Sequence, residues 1–399
     1  MKKTLLAFAF LCAAGAMAIE GWRVSPYEVA IWERLSRGEK KSCAVSPIGF
    51  GAAVCVMGEA GNVEMRAAMA ERLNLLTDFS QAYARILARY AQLSVSNQTF
   101  IAMAPSLWSE APRVFDRDYL HTLRSGFGAE AGVLVDVDAL NEWTLSVTDG
   151  RAKDMMRSVP QGSELELCNA FAFEGAWPVQ FTCNYSHPEA FASADGVERN
   201  IPYLTGEAPV LRFAHGKFDA YIIPLAAVGL HFAAILPHEG LGTDDILAKA
   251  LDYKTLDEIK ASVRLGFGDR VTSGVAKIKI PVIDIVTKRN ILPPMREYAV
   301  PERGFSGVGA NRRLTGARMV TSILMNERGV SLTPGVAAQH QLDEIAKREQ
   351  AKRQYYATGK KQEEREQQPR LDDIALERPF LFFVWDSVSN TMPVCGTYK

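Results

Sequence analysis

The stretch NAFAFEGAWPVQF, residues 169–181, decides how this chain folds. It continues the run LELC at 165–168. Together they form a β-rich segment that is apolar on both faces, the mark of a strand covered by layers on either side. Similar short runs follow: DAYIIPLA (219–226), LHFAAILP (230–237), AKIKIPVIDIV (276–286), RMVTSILMNE (318–327) and RPFLFFVWD (378–386). Gly, Pro and Asp turns separate them. Upstream, the pattern is helical. Ser46-Pro47 starts a helix over GFGAAVCVMGEAG, with the serine as cap and the proline at the first helical position. NVEMRAAMAERLNLL (62–76) and FSQAYARILARYAQL (79–93) place apolar residues three and four apart. TFIAMAPSLWS (99–109) reads as a strand, RDYLHTLRSGFG (117–128) as a helix, and LNEWTLSVTDGRAKDMM (140–156) as a helix ending at Gly150. Helices first and strands later, without repeats or a linker, predict one α+β domain built on a large sheet.

The chain has 399 residues, 48% of them hydrophobic, and a net charge of −1. That is enough for a substantial core. The charge gives no reason to expect nucleic acid or an anionic membrane as partner. MKKTLLAFAFLCAAGAMA (1–18) has two lysines, an apolar run too short to span a bilayer, and the small-x-small site Ala16-Met17-Ala18. It reads as a signal peptide, with the mature domain at 19–399 secreted or periplasmic. Leu11 before Cys12 argues against a lipid anchor. Five cysteines then remain: Cys43, Cys55, Cys168, Cys183 and Cys395. An odd number, widely scattered and without CxxC, fits buried apolar thiols better than a disulfide framework or a zinc cluster.

Signatures of catalysis are missing from the sequence. Six histidines include no HExxH pair, and there is no GxSxG elbow, Walker loop or GxGxxG. No enzyme activity, metal or cofactor is expected. Asp372-Asp373 reads as a solvated loop pair, and His231, inside LHFAA, as a core histidine.

With those classes set aside, Asn169, Phe173, Gly175, Trp177 and Phe181 gain weight as a set. They resemble the Asn-Ala…Phe…Gly-x-Trp…Phe segment of the serpin family. VSPIGFGAAVCVMGEAGNVEM (45–65) resembles that family's Ser-Pro helix start followed by Gly-Ala-x-Gly-Asn. LNEWTLSVTDGRAKDM resembles its Asn-x-Trp segment, AAILP its central Leu-Pro strand, GFSG (304–307) its Phe-Ser-Gly, and RPFLFFVWD…VCGTY its C-terminal strands. Six ordered matches cover nearly the whole mature chain. The resemblance implies a helix cluster packed on a large mixed sheet, further sheets, and an exposed reactive loop at about 329–376.

NERGVSLTPGVAAQ (326–339) resembles the family's hinge, with Glu327 and Gly329 matching. The resemblance implies a suicide pseudo-substrate for a target protease of serine or cysteine type, acting as a monomer without entering membranes. The loop would be cut, and its freed segment would enter the main sheet as a new strand. Val330, Leu332 and Val336 alternate with Ser331, Thr333 and Gly335, giving one apolar face. The family favours Thr or Ser where Val330 stands and Ala where Leu332 stands. Pro334 removes a ladder donor and is disfavoured in a central strand. Such a break costs on the order of 1–3 kcal/mol. Ser46 and Asn169 match the family's sheet-opening region together with Trp177, whereas Met319 stands where the family usually has a histidine.

The loop is long, with 50 positions from Gly329 to Pro379. Family spacing from Gly329 puts the reactive bond at Asp343–Glu344. The basic pairs Lys347-Arg348 and Lys352-Arg353 are a trypsin-like alternative further out. Residues 340–370 are dense in both charges and poor in apolar surface, with the acid-before-base pairs Asp343–Lys347, Glu344–Arg348 and Glu349–Arg353 that support an exposed helix. Two functions are therefore expected from the sequence: a protease inhibitor, or a non-inhibitory extracellular binding protein that uses this loop for a partner.

Overall fold

The computed structural model describes residues 26–75, 78–95, 98–111, 114–266, 268–308, 312–330 and 369–399. The segment read as a signal peptide, Leu332, Pro334, the reactive-bond candidates Asp343, Glu344, Lys347 and Arg348, and the charged run up to residue 368 lie outside the described residues.

In chain order the strands begin with β1 (Cys43–Val45), β2 (Thr99–Ser109), β3 (Glu130–Val133), β4 (Leu165–Gly175) and β5 (Thr182–Cys183). Next come β6 (Glu189–Ala192), β7 (Glu198–Ile201), β8 (Tyr203–His215), β9 (Phe218–Pro224) and β10 (Leu230–Pro237). The last are β11 (Val271–Pro281), β12 (Ile283–Asn290), β13 (Leu314–Met325), β14 (Ile374–Ala375), β15 (Phe380–Asp386) and β16 (Thr391–Tyr398). One five-stranded sheet has the order β12-β13-β4-β2-β3. A nine-stranded sheet runs β1-β16-β15-β10-β9-β8-β11-β14, with β5 beside β8, and β6 and β7 form a separate hairpin. Every residue of β4 is buried, as its two-faced apolar pattern predicts.

The helix Pro47–Glu59 shows why the core holds together. Ser46 caps it by accepting the Gly49 N–H at 3.0 Å, and Pro47 occupies the first turn. The helix is buried along almost its whole length and carries no charge before Glu59, which suits a helix enclosed on all sides. At Gly51 a Cβ would come within 2.4 Å of the Tyr83 hydroxyl, so only glycine lets the neighbouring rings in. Asn62 and Asp116 cap the helices Val63–Leu73 and Arg117–Phe127 in the same way.

Three differences from the sequence reading have physical causes. AKIKIPVIDIV, taken as one strand, is two strands in different sheets. β11 ends at Pro281, the Val282 N–H turns to the Pro202 carbonyl, and β12 starts in the five-stranded sheet. Helices Thr243–Lys249, Tyr253–Leu265 and Leu292–Glu297 interrupt the half read as strands; the second starts at an Asp252 cap and stops at Gly266, whose φ is +70°. The long β8 was missed, and Pro209 within it breaks the strand signal.

His231 is a core histidine, 3% exposed, with its ring 5.3 Å from that of Trp385. Burial pushes its pKa down to about 4. The unfolded chain therefore binds a proton that the folded chain refuses between about pH 6.5 and 4, so stability falls as pH falls through that window. The expected loss is on the order of 3 kcal/mol between pH 7 and 4. Urea melts of the wild type and His231→Phe across this range check it: the variant should lose distinctly less stability than the wild type.

Candidate functional site

β13 and β4 are central neighbours in the five-stranded sheet, and they run parallel. Their register is continuous from Gly316↔Glu166 to Leu324↔Glu174, below which a bulge separates the Leu314↔Leu165 pair. Parallel ladders are slightly less stable per residue than antiparallel ones. The two ends of this seam are held differently. At the lower end Thr315 Oγ1 accepts the Glu164 N–H at 3.0 Å and donates to the Leu165 carbonyl at 3.0 Å. Arg318 Nε lies 3.5 Å from the buried Glu166 carboxylate. At the upper end Ile323 faces Phe173, and Glu174 turns away to Arg151, 3.0 Å off. Polar side chains thus bind the seam at its base, while its top rests on backbone pairing and apolar contact.

The segment expected to be the hinge leaves from that top. After Met325, the Asn326 carboxamide accepts the Arg328 N–H at 2.9 Å. Glu327 accepts the Tyr185 phenol proton at 2.7 Å. Burial, then the adjacent Glu327 carboxylate, hold the Tyr185 phenol above its usual range, so the proton stays in this bond. Gly329 has φ +71°, and a Cβ there would press to 3.0 Å on that of Ala176. Ala176 is fixed through its N–H to Gln98 and its carbonyl to Ala226. One residue on, Trp177 is buried with its ring 5.1 Å from Phe181 and 5.4 Å from Phe232. Val330 is half-buried. The chain returns at Pro369, whose carbonyl accepts the Val275 N–H at 3.0 Å, and β14 then lies along β11. The loop is therefore anchored at one end to the five-stranded sheet and at the other to the nine-stranded one.

Beneath the seam, the expected sheet-opening residues come together, Trp177 excepted, which belongs to the hinge. Asn169 pairs with Met319 across the seam and with Pro105 on its other side. It is fully buried, and neither polar atom of its carboxamide has a protein partner. A thioether and a residue without an N–H flank it, so neither supplies a strong hydrogen bond. A Cβ on Gly49 would fall 2.9 Å from Asn169 Oδ1, which places the start of the Pro47–Glu59 helix directly on it. Ser46, by contrast, is satisfied, donating to the Pro393 carbonyl at 2.7 Å. A buried amide left unpaired costs about 1–3 kcal/mol. Met319→His offers Asn169 a partner and should raise the melting midpoint by about 2 °C. A midpoint lowered by several degrees would mean that the imidazole does not reach it.

Glu327, Gly329 and Asn169 carry a sequence signal, whereas Tyr185 and Thr315, which lie beside the upper turn and the seam, belong to no motif. Among the described residues no three His, Cys, Asp or Glu gather to hold a metal ion, and no helix is long and apolar enough to cross a membrane.

A helix cluster on a five-stranded sheet with a parallel central seam and a hinge at its top defines a recognisable class of protein. The profile for Serpin (serine protease inhibitor) matches residues 29–399, and the chain belongs to that family. Its members are protease inhibitors or binding proteins and not enzymes. Iripin-8 of Ixodes ricinus is 23% identical over 298 residues, which make up 70% of this chain and 67% of Iripin-8. The thermophilic serpin tengpin in its native state superposes with a TM-score of 0.69 at 17% identity, covering 98% of both chains. Human thyroxine-binding globulin superposes at 0.73 with 13% identity, over 99% of this chain and 98% of its own.

Proposed function

We propose that this chain is an exported protease inhibitor that traps its target by loop insertion. The observation that carries the reading is the parallel β13–β4 seam with a glycine hinge at its upper end. A segment that turns back at Gly329 runs antiparallel to both strands. Entering between them, it would replace one parallel ladder by two antiparallel ones. Strand addition of this kind gains main-chain hydrogen bonds, while alternate side chains set the fit.

In the proposed sequence of events, the protease nucleophile attacks a carbonyl in the loop and forms an acyl bond to it. The peptide bond breaks, and its nitrogen leaves as the new amino terminus of the C-terminal fragment. The segment from Val330 onward enters the seam from its open top and carries the acylated protease to the base. There the catalytic residues are pulled out of register, and water fails to release the acyl group.

Length favours Asp343–Glu344 as the bond. β4 has 11 residues and β13 has 12. Strands rise about 3.3 Å per residue, so these span roughly 36–40 Å. The fourteen residues 330–343 reach about 46 Å and run the seam with little slack. Cleavage after Lys347 or Arg348 adds about 13–17 Å of tether, which would leave the protease room to complete its turnover. The preferred target is then an enzyme accepting an acidic residue.

The second reading is a non-inhibitory binding protein. Pro334, with the bulky Val330 and Leu332, favours it, and thyroxine-binding globulin is a fold neighbour whose name records ligand binding. Titrating acidic-specific, trypsin-like, elastase-like and subtilisin-like proteases with the mature chain separates the two. Inhibition predicts that activity of at least one falls linearly with added chain. A chain that is cut while every protease stays active would remove the trapping reading.

A further inference from the structure

Most sheet edges in this molecule are short. β1 has three residues, β14 and β5 two each, and β3 four. Among the described residues β12 is the longest terminal strand, eight residues, Ile283–Asn290, with β13 as its described strand partner. Its ladder runs unbroken from Ile283↔Met325 to Asn290↔Arg318, with no bulge and no proline. Of the devices that blunt such an edge, β12 lacks a bulge, a proline and shortness, and it carries charge at Asp284 and Lys288. A cavity of about 1310 Å³ separates Asp284–Val286 from the segments 38–42 and 239–244, and one of about 500 Å³ separates Lys288–Asn290 from the segment 154–158. Ile283, Ile285 and Thr287 point inward, while Asp284, Val286 and Lys288 point out. Val286 is 49% exposed. Of the edge carbonyls, that of Lys288 already accepts a bond from the neighbouring Arg289 guanidinium at 3.1 Å.

We propose that β12 is the surface through which two copies of this chain pair, edge to edge and antiparallel, about a two-fold axis at Val286. Charge complementarity identifies the occupant as a second copy. With the axis at Val286, Asp284 lies opposite Lys288 of the second copy, Val286 opposite its own equivalent, and Lys288 opposite Asp284. The outward face then reads acid on base, apolar on apolar, base on acid. No neighbouring register does this: an axis at Ile285 sets Asp284 against Val286, and one at Thr287 sets Val286 against Lys288. An isologous contact requires such self-complementarity, and directly opposed side chains of opposite charge stabilise a strand pair. The proposal departs from the monomer that the family resemblance leads one to expect. The β13–β4 seam lies on the far side of β13 and stays free in each copy, so the pairing is independent of loop insertion.

Sedimentation equilibrium of the mature chain over a dilution series tests this. The expected wild-type result is a dimer that dissociates on dilution. Asp284→Lys alone puts lysine against lysine at both symmetric contacts and should weaken the dimer about tenfold or more. The double change Asp284→Lys with Lys288→Asp restores opposite charges and should restore the dimer. Both sites are exposed, so thermal melts of the variants should match the wild type and exclude misfolding as the cause. A wild type that stays monomeric up to about 100 μM overturns the proposal. So does a dimer indifferent to the single change, or one that the double change fails to recover.

Discussion

A single cut in the loop at Asp343–Glu344 is expected to raise the melting midpoint of the chain by roughly 12 °C. Insertion turns the five-stranded sheet into six strands, and its net gain is one ladder of about ten residues. At about 1 kcal/mol per net hydrogen bond, that ladder is worth on the order of 10 kcal/mol. For a domain of this size, each kcal/mol moves the midpoint by about 1.2 °C. Side-chain burial of Val330, Leu332 and Val336 adds to the gain, and the ordering entropy of the segment opposes it. A chain whose loop stays out after cutting gains no ladder, and its midpoint should move by no more than a few degrees. Limited proteolysis with an acidic-specific protease followed by calorimetry reads the difference directly. The outcome also separates the two functional readings, because a binding protein has no need of a strand-ready loop.

Replacing Pro334 by threonine is expected to give the largest functional change from one substitution. Trapping is a race between insertion and deacylation, so any barrier met by the incoming strand is read as escaped protease. Pro334 lacks the N–H that a central strand must donate, which leaves an acceptor on its neighbour unpaired at a cost of about 1–3 kcal/mol. If the transition state feels all of it, insertion accelerates by about 5- to 150-fold on restoring the donor. The measurable quantity is the number of inhibitor molecules consumed per protease trapped, which should fall toward one in Pro334→Thr. An unchanged ratio would place the slow step before residue 334 reaches the seam. Pro334→Ala restores the same N–H with a smaller side chain, so a matching gain in both variants points to the hydrogen bond and not to packing.

Different parts of this account were legible in the sequence to different degrees. β4 was readable because both of its faces carry apolar residues, Leu165, Leu167, Phe171 and Phe173 on one and Cys168, Ala170 and Ala172 on the other, although Glu166, Asn169 and Glu174 interrupt the pattern. Gly329 was readable from resemblance, and its positive φ supplies the physical reason. The break inside AKIKIPVIDIV was not readable, because a proline can end a ladder without announcing that the chain will join another sheet. The helix Tyr253–Leu265 could have been found from its Asp252 cap and Gly266 stop, and was overlooked among strands. The Tyr185–Glu327 bond joins residues 142 positions apart, a contact that composition and periodicity do not encode. Asn169 stood out only by resemblance. Its unpaired carboxamide between Met319 and Pro105 became visible once three strands were side by side.

The central claim is that the loop is bait and the seam its destination. Mass analysis under denaturing conditions, after mixing the mature chain with an acidic-specific protease, tests it most directly. The account predicts a covalent species equal to the protease plus the chain less its C-terminal fragment, with that fragment beginning at Glu344. Recovery of both cleaved fragments beside unmodified, fully active protease would contradict it.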